Sequence, residues 1–230
     1  MALIIDITSR CNMCCRHCMW SRTGKGEDMS LDVFARALDL DLARTGIVSL
    51  GTAEPTVHPQ FWTFLQLALD KAIKVRVVTN GKKTECALRL AELGRLGTIQ
   101  AHLSVDEFHE AIDPAVVEAF RRDPELASDK RAFRGVSAAS LKRFGRCDFA
   151  GSELPTCRCP IPRIVPDGTV YACGCEAAEP IGNVMTGNVQ RKLLVSRPGC
   201  ARHLPNADVD ADRRFARTIS STVRRGSSAE

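Results

Sequence analysis

At 230 residues, with 44% hydrophobic side chains, the chain can bury one mid-sized core and carry a small appendage, which excludes two large domains. Its formal charge of +5 comes entirely from residues 191–230, where nine Lys or Arg face four Asp or Glu; the body is neutral, and with only 5% aromatics it offers no basic, ring-lined nucleic-acid surface. No apolar run is long enough to cross a bilayer and no cleavable signal segment is visible, while the eleven cysteines are odd in number and fall in two groups rather than a disulfide framework, so a soluble, cytoplasmic protein that uses its thiols for cofactors is expected.

In chain order, LIIDI is a short β-type run that ends in a polar turn and delivers Cys11, Cys15 and Cys18 as C-x3-C-x2-C. Thiolates so spaced on one tight loop can converge on a single cofactor, and three sulfurs without a fourth suit an iron–sulfur cluster with one open iron. Zinc is the competing reading, but a zinc knuckle needs a second Cys or His pair at short range, and the next hundred residues hold none. RTGKGEDMS reads as a flexible link. Ser30 then caps a helix over 31–44, with Leu31, Phe34, Ala35, Leu38 and Leu42 at helical spacing and Gly46 beyond its end.

IVSL (47–50) is a buried-type strand, and a helix follows through Phe61, Phe64, Leu65 and Ala68. VRVVT (75–79) is a strand closed by Asn80-Gly81, Thr84 caps a helix to Leu93 with Gly94 after it, and IQAHLS (99–104) is the next strand. Asp113-Pro114 sets a cap and an N1 proline before PAVVEAF. Beyond residue 122 the pattern weakens: a polar link, a short fifth strand in FRGVS and a short helix in AASLKRFGR. The fold class is therefore α/β with parallel βα units, whose ligands gather where the strands end. IVPDGTVYACGC reads as a hairpin turning at Asp167-Gly168, with too little core of its own.

With Asn12 and Met13 after the first cysteine and the His17 ring before the third, the loop resembles the signature of the radical S-adenosylmethionine (SAM) enzymes. GTAEPTVHP (51–59), directly after a strand, resembles the family's GGEP loop. That resemblance implies that Gly51, Thr52, Ala53 and Glu54 hold the methionine amino group of SAM, with Ala53 standing where glycine is usual. Thr79-Asn80-Gly81 matches the family's strand-end TNG. The strand before SVDEFHE (104–110) makes Ser104 and Asp106 candidates for the ribose or the substrate, and Glu107 and His109 candidates for proton transfer. Cys157, ten residues, Gly168, four residues and Cys173 resemble the opening of the SPASM and twitch extensions, which carry an auxiliary cluster; Cys159, Cys175 and Cys200 compete to complete its ligands, and a structural zinc site is the alternative there.

The resemblance implies a partial, abbreviated parallel βα barrel over 1–146, a small Cys-rich hairpin extension over 147–204 and a basic tail over 205–230. It also implies a [4Fe-4S] cluster on Cys11, Cys15 and Cys18, SAM as cosubstrate, a second, auxiliary [4Fe-4S] cluster, and an electron donor such as flavodoxin or ferredoxin. The expected reaction removes a hydrogen atom from a small polar metabolite in a net oxidation. A peptide maturase is the alternative, and an inactive zinc-binding scaffold is the reading from a different class.

Overall fold

A computed structural model of the chain describes residues 2–18, 20–40, 43, 46–136, 161–174, 178 and 180–189. Its strands are β1 (Ala2–Ile5), β2 (Ile47–Leu50), β3 (Lys74–Thr79), β4 (Gln100–Ser104), β5 (Arg131–Arg134), β6 (Arg163–Ile164), β7 (Thr169–Tyr171) and β8 (Pro180–Asn183). They form one sheet in the order β5-β4-β3-β2-β1-β6-β7-β8. β1 to β5 run parallel to their neighbours, β6 is parallel to β1 on its other side, and β7 and β8 fold back antiparallel.

The alternation of side chains along each strand separates two faces. Leu3, Ile5, Val48, Leu50, Val75, Val77, Ala101 and Leu103 are buried on the convex face. Against that face pack α1 (Leu31–Leu38), α2 (Phe61–Asp70), α3 (Thr84–Arg95) and the short α4 (Pro114–Ala119). Phe34 of α1 and Phe64 of α2 meet with ring centroids 4.7 Å apart, so the helices share one core with the sheet. The opposite, concave face is polar: Asp6, Ser49, Arg76, Gln100, His102, Ser104, Arg134 and Arg163 lie on it by register. Because the strands are parallel, the loops after β1, β2, β3 and β4 emerge at the same edge.

Several boundaries differ from the sequence expectation. α1 stops at Leu38, where the N–H of Asp39 caps the turn by donating to Arg36 and Ala37. Thr84 is the first residue of α3 rather than its cap, and Gly94 lies inside that helix instead of ending it. A Cβ on Gly94 would come within 2.7 Å of the Ala101 Cβ, so this glycine lets α3 approach β4. RTGKGEDMS is not a loose link: Thr8 bridges Asp28 and Arg10 bridges Thr23, which makes it the return limb of the cysteine loop. Backbone groups that leave β1 without a strand partner find one there.

The hairpin turns at Asp167-Gly168, as the sequence indicates, with Gly168 at φ +84° and Thr169 N donating to Asp167 Oδ1 at 2.8 Å. It does not need a core of its own. β6 extends the main sheet through Ile4 and Ile5, and Ile164, Val170 and Val184 are buried in the common core. No helix among the described residues is long and apolar enough to cross a membrane.

Candidate active site

The cysteine loop is pinned at both ends. Cys11 N donates to Thr23 O at 2.7 Å, and Arg10 forks onto Asp28 through Nε and Nη2 at 3.0 and 2.5 Å. Within it Cys11, Cys15 and Cys18 are half-buried and form no disulfide among the described residues. Burial raises the Cys11 thiol, and Glu54 and Cys18 add to the rise; burial together with Cys11, Cys18 and Glu110 pushes Cys15 up to about 11. The three thiolate forms would repel one another. Three thiols gathered so that their thiolate forms repel one another fit a positively charged metal centre, which would remove that cost. The donor set therefore suits a cluster held by three sulfurs.

Beside the sulfurs lies the end of β3. Asn80 Nδ2 donates to Asn12 Oδ1 at 2.8 Å and lies 3.6 Å from Cys11 Sγ, and Asn80 Oδ1 accepts from Lys82 N. The loop after β2 is tied to the same place through Glu54, which is 1% exposed. Its Oε1 accepts from Thr56 N, Thr56 Oγ1 and Thr79 Oγ1 at 3.2, 2.6 and 2.9 Å, and its Oε2 accepts from Asn80 N at 2.7 Å. Burial raises this carboxyl against the pull of those donors. Glu54 thereby fixes the loop and the strand end to each other.

The backbone strain in this loop sits at Thr52, not at Ala53. Thr52 has φ +83°, costly for a β-branched residue, and its Oγ1 donates to Asp6 Oδ2 at 2.6 Å. Ala53 carries no positive φ, so its methyl group brings no strain of that kind. Asp6, missed as a site residue by sequence reasoning, is 1% exposed at the end of β1. Its Oδ2 also accepts from Arg163 Nε at 2.9 Å and Arg22 Nη2 at 3.0 Å, whereas Oδ1 is buried without a partner among the described residues. Burial raises its carboxyl, and Arg163, Thr52 and Arg22 oppose the rise. The signal was present in the sequence as a lone acid in an apolar strand.

The loop after β4 closes the opposite side. Asp106 Oδ1 accepts from Phe108 N at 3.0 Å and bonds His109 Nδ1 at 2.7 Å, and Oδ2 accepts from Val136 N at 3.1 Å. Burial alone would raise the Asp106 carboxyl, but these donors hold it below the usual range. His17, from the cysteine loop, meets His109 edge-on at 4.6 Å and Phe108 at 5.3 Å, and its Nε2 is 3.9 Å from Asp106 Oδ2. Burial lowers the His17 imidazole. Glu110 accepts from Cys14 N and pairs with Lys82, which fastens this loop to the cysteine loop.

His17, Asp106 and His109 thus come together, as do Cys11, Asn80 and Glu54. Ser104 is half-buried on the concave face in register with Arg134, and Glu107 is exposed with no hydrogen bond or ion pair to a described residue. Of the second thiol group, Cys173 is half-buried near the cysteine loop, because Trp20 Nε1 donates to Gly174 O at 3.0 Å. Cys157, Cys159, Cys175 and Cys200 lie outside the described residues.

Residues 5–140 match the family model described as "Radical SAM superfamily", a span that holds the thiol loop, Glu54, Asn80 and the Asp106 loop. The chain belongs to the radical SAM superfamily. Among curated relatives it is similar to "Mycofactocin maturase MftC" of Mycobacterium tuberculosis, 33% identical over 146 residues, which are 61% of this chain and 35% of that protein. It is also similar to the "Tungsten-containing aldehyde ferredoxin oxidoreductase cofactor-modifying protein" of Pyrococcus furiosus, 32% identical over 109 residues, 45% of this chain and 30% of the other. The chain thus spans about a third of the length of these relatives.

Among solved structures, BtrN in complex with AdoMet and 2-DOIA superposes with a TM-score of 0.59 over 82% of this chain and 79% of BtrN, at 17% identity. anSMEcpe with AdoMet and the Cp18Cys peptide superposes at 0.54 over 83% and 80%, at 13% identity. At such identities the likeness establishes the fold: an α/β radical SAM architecture with an open, partial parallel barrel. Superfamily membership implies one [4Fe-4S] cluster and SAM.

Proposed function

We propose that this radical SAM enzyme holds its cluster through Cys11, Cys15 and Cys18, and uses it to oxidise a small polar metabolite. The observation that carries this reading is the pinned loop that sets the half-buried Cys11, Cys15 and Cys18 beside Asn80 and the Glu54-braced loop. The cluster and SAM together supply a 5′-deoxyadenosyl radical able to remove a hydrogen atom from an unreactive C–H bond. The chain's residues position the partners. The backbone of Gly51, Thr52 and Ala53, held by Glu54 and Asp6, presents its polar groups to the cosubstrate. His17 and Phe108 offer ring surfaces for its adenine, and Ser104 is near enough to the strand end to meet its ribose.

Asp106 orients His109 through Nδ1, leaving Nε2 to take a proton from the substrate as it is oxidised. Cys157, Cys173 and a selection of Cys159, Cys175 and Cys200 would hold a second [4Fe-4S] cluster, which would supply an electron acceptor for the oxidation, and a flavodoxin or ferredoxin would supply the first electron. A peptide maturase is the second reading, favoured by the similarity to MftC. The enzyme works in the cytoplasm on either reading.

The test is oxygen-free reconstitution with iron and sulfide, followed by SAM and dithionite. Two four-iron clusters per chain and release of 5′-deoxyadenosine are expected. In the Cys11→Ala/Cys15→Ala/Cys18→Ala variant that release falls to background while iron bound by the later thiols persists. Wild-type rates in this variant, or stoichiometric zinc with intact SAM in the parent, would reject the reading. Comparison of small metabolites and short peptides consumed by the active enzyme decides between the two substrate classes.

A further inference from the structure

Resting on the radical SAM reading above, we propose that the concave face binds an oxyanionic group of the substrate, a carboxylate or a phosphate, between Arg76, His102 and Arg134. The strand register puts these three side chains on one face. Arg76 pairs with Gln100, two residues before His102, and Arg134 pairs with Ser104, two residues after it. Strands about 4.8 Å apart, with same-face residues about 6.6 Å apart along each, put His102 diagonally between the two arginines, at a Cα spacing of about 8 Å from each, with the arginines about 16 Å from one another. Arginine side chains are long enough to reach inward across that span, each from its own side of His102, so their forks can close on one oxyanion while the imidazole between them adds a further N–H.

No acid of the described chain meets these side chains, although three lie together on one face. Arg10 pairs with Asp28, Arg22 and Arg163 with Asp6, Lys82 with Glu110 and Arg131 with Asp129. Arg76 instead makes one hydrogen bond, from Nε to Gln100 Oε1 at 2.9 Å, which leaves both terminal nitrogens without a described acceptor. Among the described residues Arg134 has no ion pair and the buried His102 Nδ1 has no hydrogen-bond partner. The group also disturbs itself. Burial, then Arg76 and Arg134, push the His102 imidazole down to about 4, and burial and Arg134 lower Arg76. Cations gathered at such a cost gain stability when an anion lies between them.

The location suits a substrate rather than the cosubstrate. The cysteine loop reaches the sheet at Asn80, at the end of β3, and the Glu54 and Asp6 loops lie over β1 and β2. The cationic group starts lower on β3 and rises across β4 to β5. An anion held there leaves the rest of a small molecule to extend up the concave face towards the thiol loop.

The experiment uses the full chain, reconstituted and kept oxygen-free, with saturating SAM and no reductant. It is titrated calorimetrically with inorganic phosphate and, separately, with succinate. Saturable binding of one anion per chain is expected, at least ~10-fold weaker in Arg76→Met and in Arg134→Gln. It is expected unchanged in Arg121→Gln, an exposed arginine paired with Glu118 on the far side of the sheet's helices. Binding of phosphate alone names a phosphoryl group, and binding of succinate alone names a carboxylate. Arg134 is exposed, so its variant tests the site without risk to the fold. Failure of both anions to bind, or affinity within twofold of the parent in either Arg76→Met or Arg134→Gln, overturns the proposal. Binding that appears only when SAM is withheld overturns it too, since the cations would then serve the cosubstrate's carboxylate. Release of 5′-deoxyadenosine is measured in parallel: a chain that cleaves SAM but ignores both anions loses this proposal alone, and one that binds anions but never cleaves SAM loses the radical SAM assignment of the site.

Discussion

Over β1, β2 and the end of β3, the buried carboxylates of Asp6 and Glu54 are met by donors from this chain, whereas over the lower part of β3, β4 and β5 the cations of the concave face meet no acid among the described residues. Both regions contain charge partly withdrawn from water, which is costly unless it is compensated. In the first region the compensation is internal, and it turns loops into a rigid frame around the thiols. In the second it is left to something outside the chain. The difference separates residues that shape a site from residues that recognise what enters it.

That contrast is open to attack by substitution. The largest effect is expected from Asp6→Asn, which leaves Arg22 and Arg163 facing each other without their shared carboxylate and frees the strained Thr52. Urea unfolding should show a loss of about 3–4 kcal/mol. Glu54→Gln comes next: an amide cannot accept from all four donors and presents its own NH2 to some of them, for a loss of about 2–3 kcal/mol. It should also cut 5′-deoxyadenosine release, because Asn80 and the neighbouring Cys11 lose their brace. A Glu54→Gln enzyme with parental stability and turnover would show that this carboxylate is not structural.

On the other side of the face the sign reverses. Arg76→Met removes a half-buried cation that repels Arg134 and His102 and keeps most of the stem packing. Stability should be unchanged or raised by up to ~1 kcal/mol in ligand-free protein; a loss larger than that would mean that Arg76 is spent on the fold after all. The smallest effect concerns pH. His102 is held down to about 4 by burial, Arg76 and Arg134, below its value in the unfolded chain of about 6.5. The unfolded chain therefore binds the proton first, so this residue's contribution is fully present above about pH 6.5 and is lost as pH falls towards about 4. A His102→Gln variant should show a flatter decline of unfolding free energy across that window, and an unaltered slope would remove His102 from the strained group.

Much of the site was legible because its chemistry is written locally. Cys11, Cys15 and Cys18 lie on one short loop, Thr79-Asn80-Gly81 ends an apolar strand, and Asp113-Pro114 and Asp167-Gly168 carry their own turn chemistry. What misled were positions whose role depends on distant partners. Gly94 looks like a helix stop in sequence but serves helix–sheet approach, and RTGKGEDMS looks loose until Thr8 and Arg10 are placed beside it. The 161–174 hairpin looks too small to stand until β1 is found to be its neighbour.

The sequence by itself determined the βα alternation, the thiol loop and the superfamily, since periodicity and close spacing survive without knowledge of the third dimension. Only the tertiary structure decided which charges are satisfied. Asp6 meets Arg22 through the return limb of the cysteine loop and the distant Arg163 because β6 pairs with β1. Arg76, His102 and Arg134 sit in three separate segments that parallel pairing brings onto one face. Whether a buried charge builds the protein or awaits a ligand depends on what lies within hydrogen-bonding reach, and that is set by strand order and register.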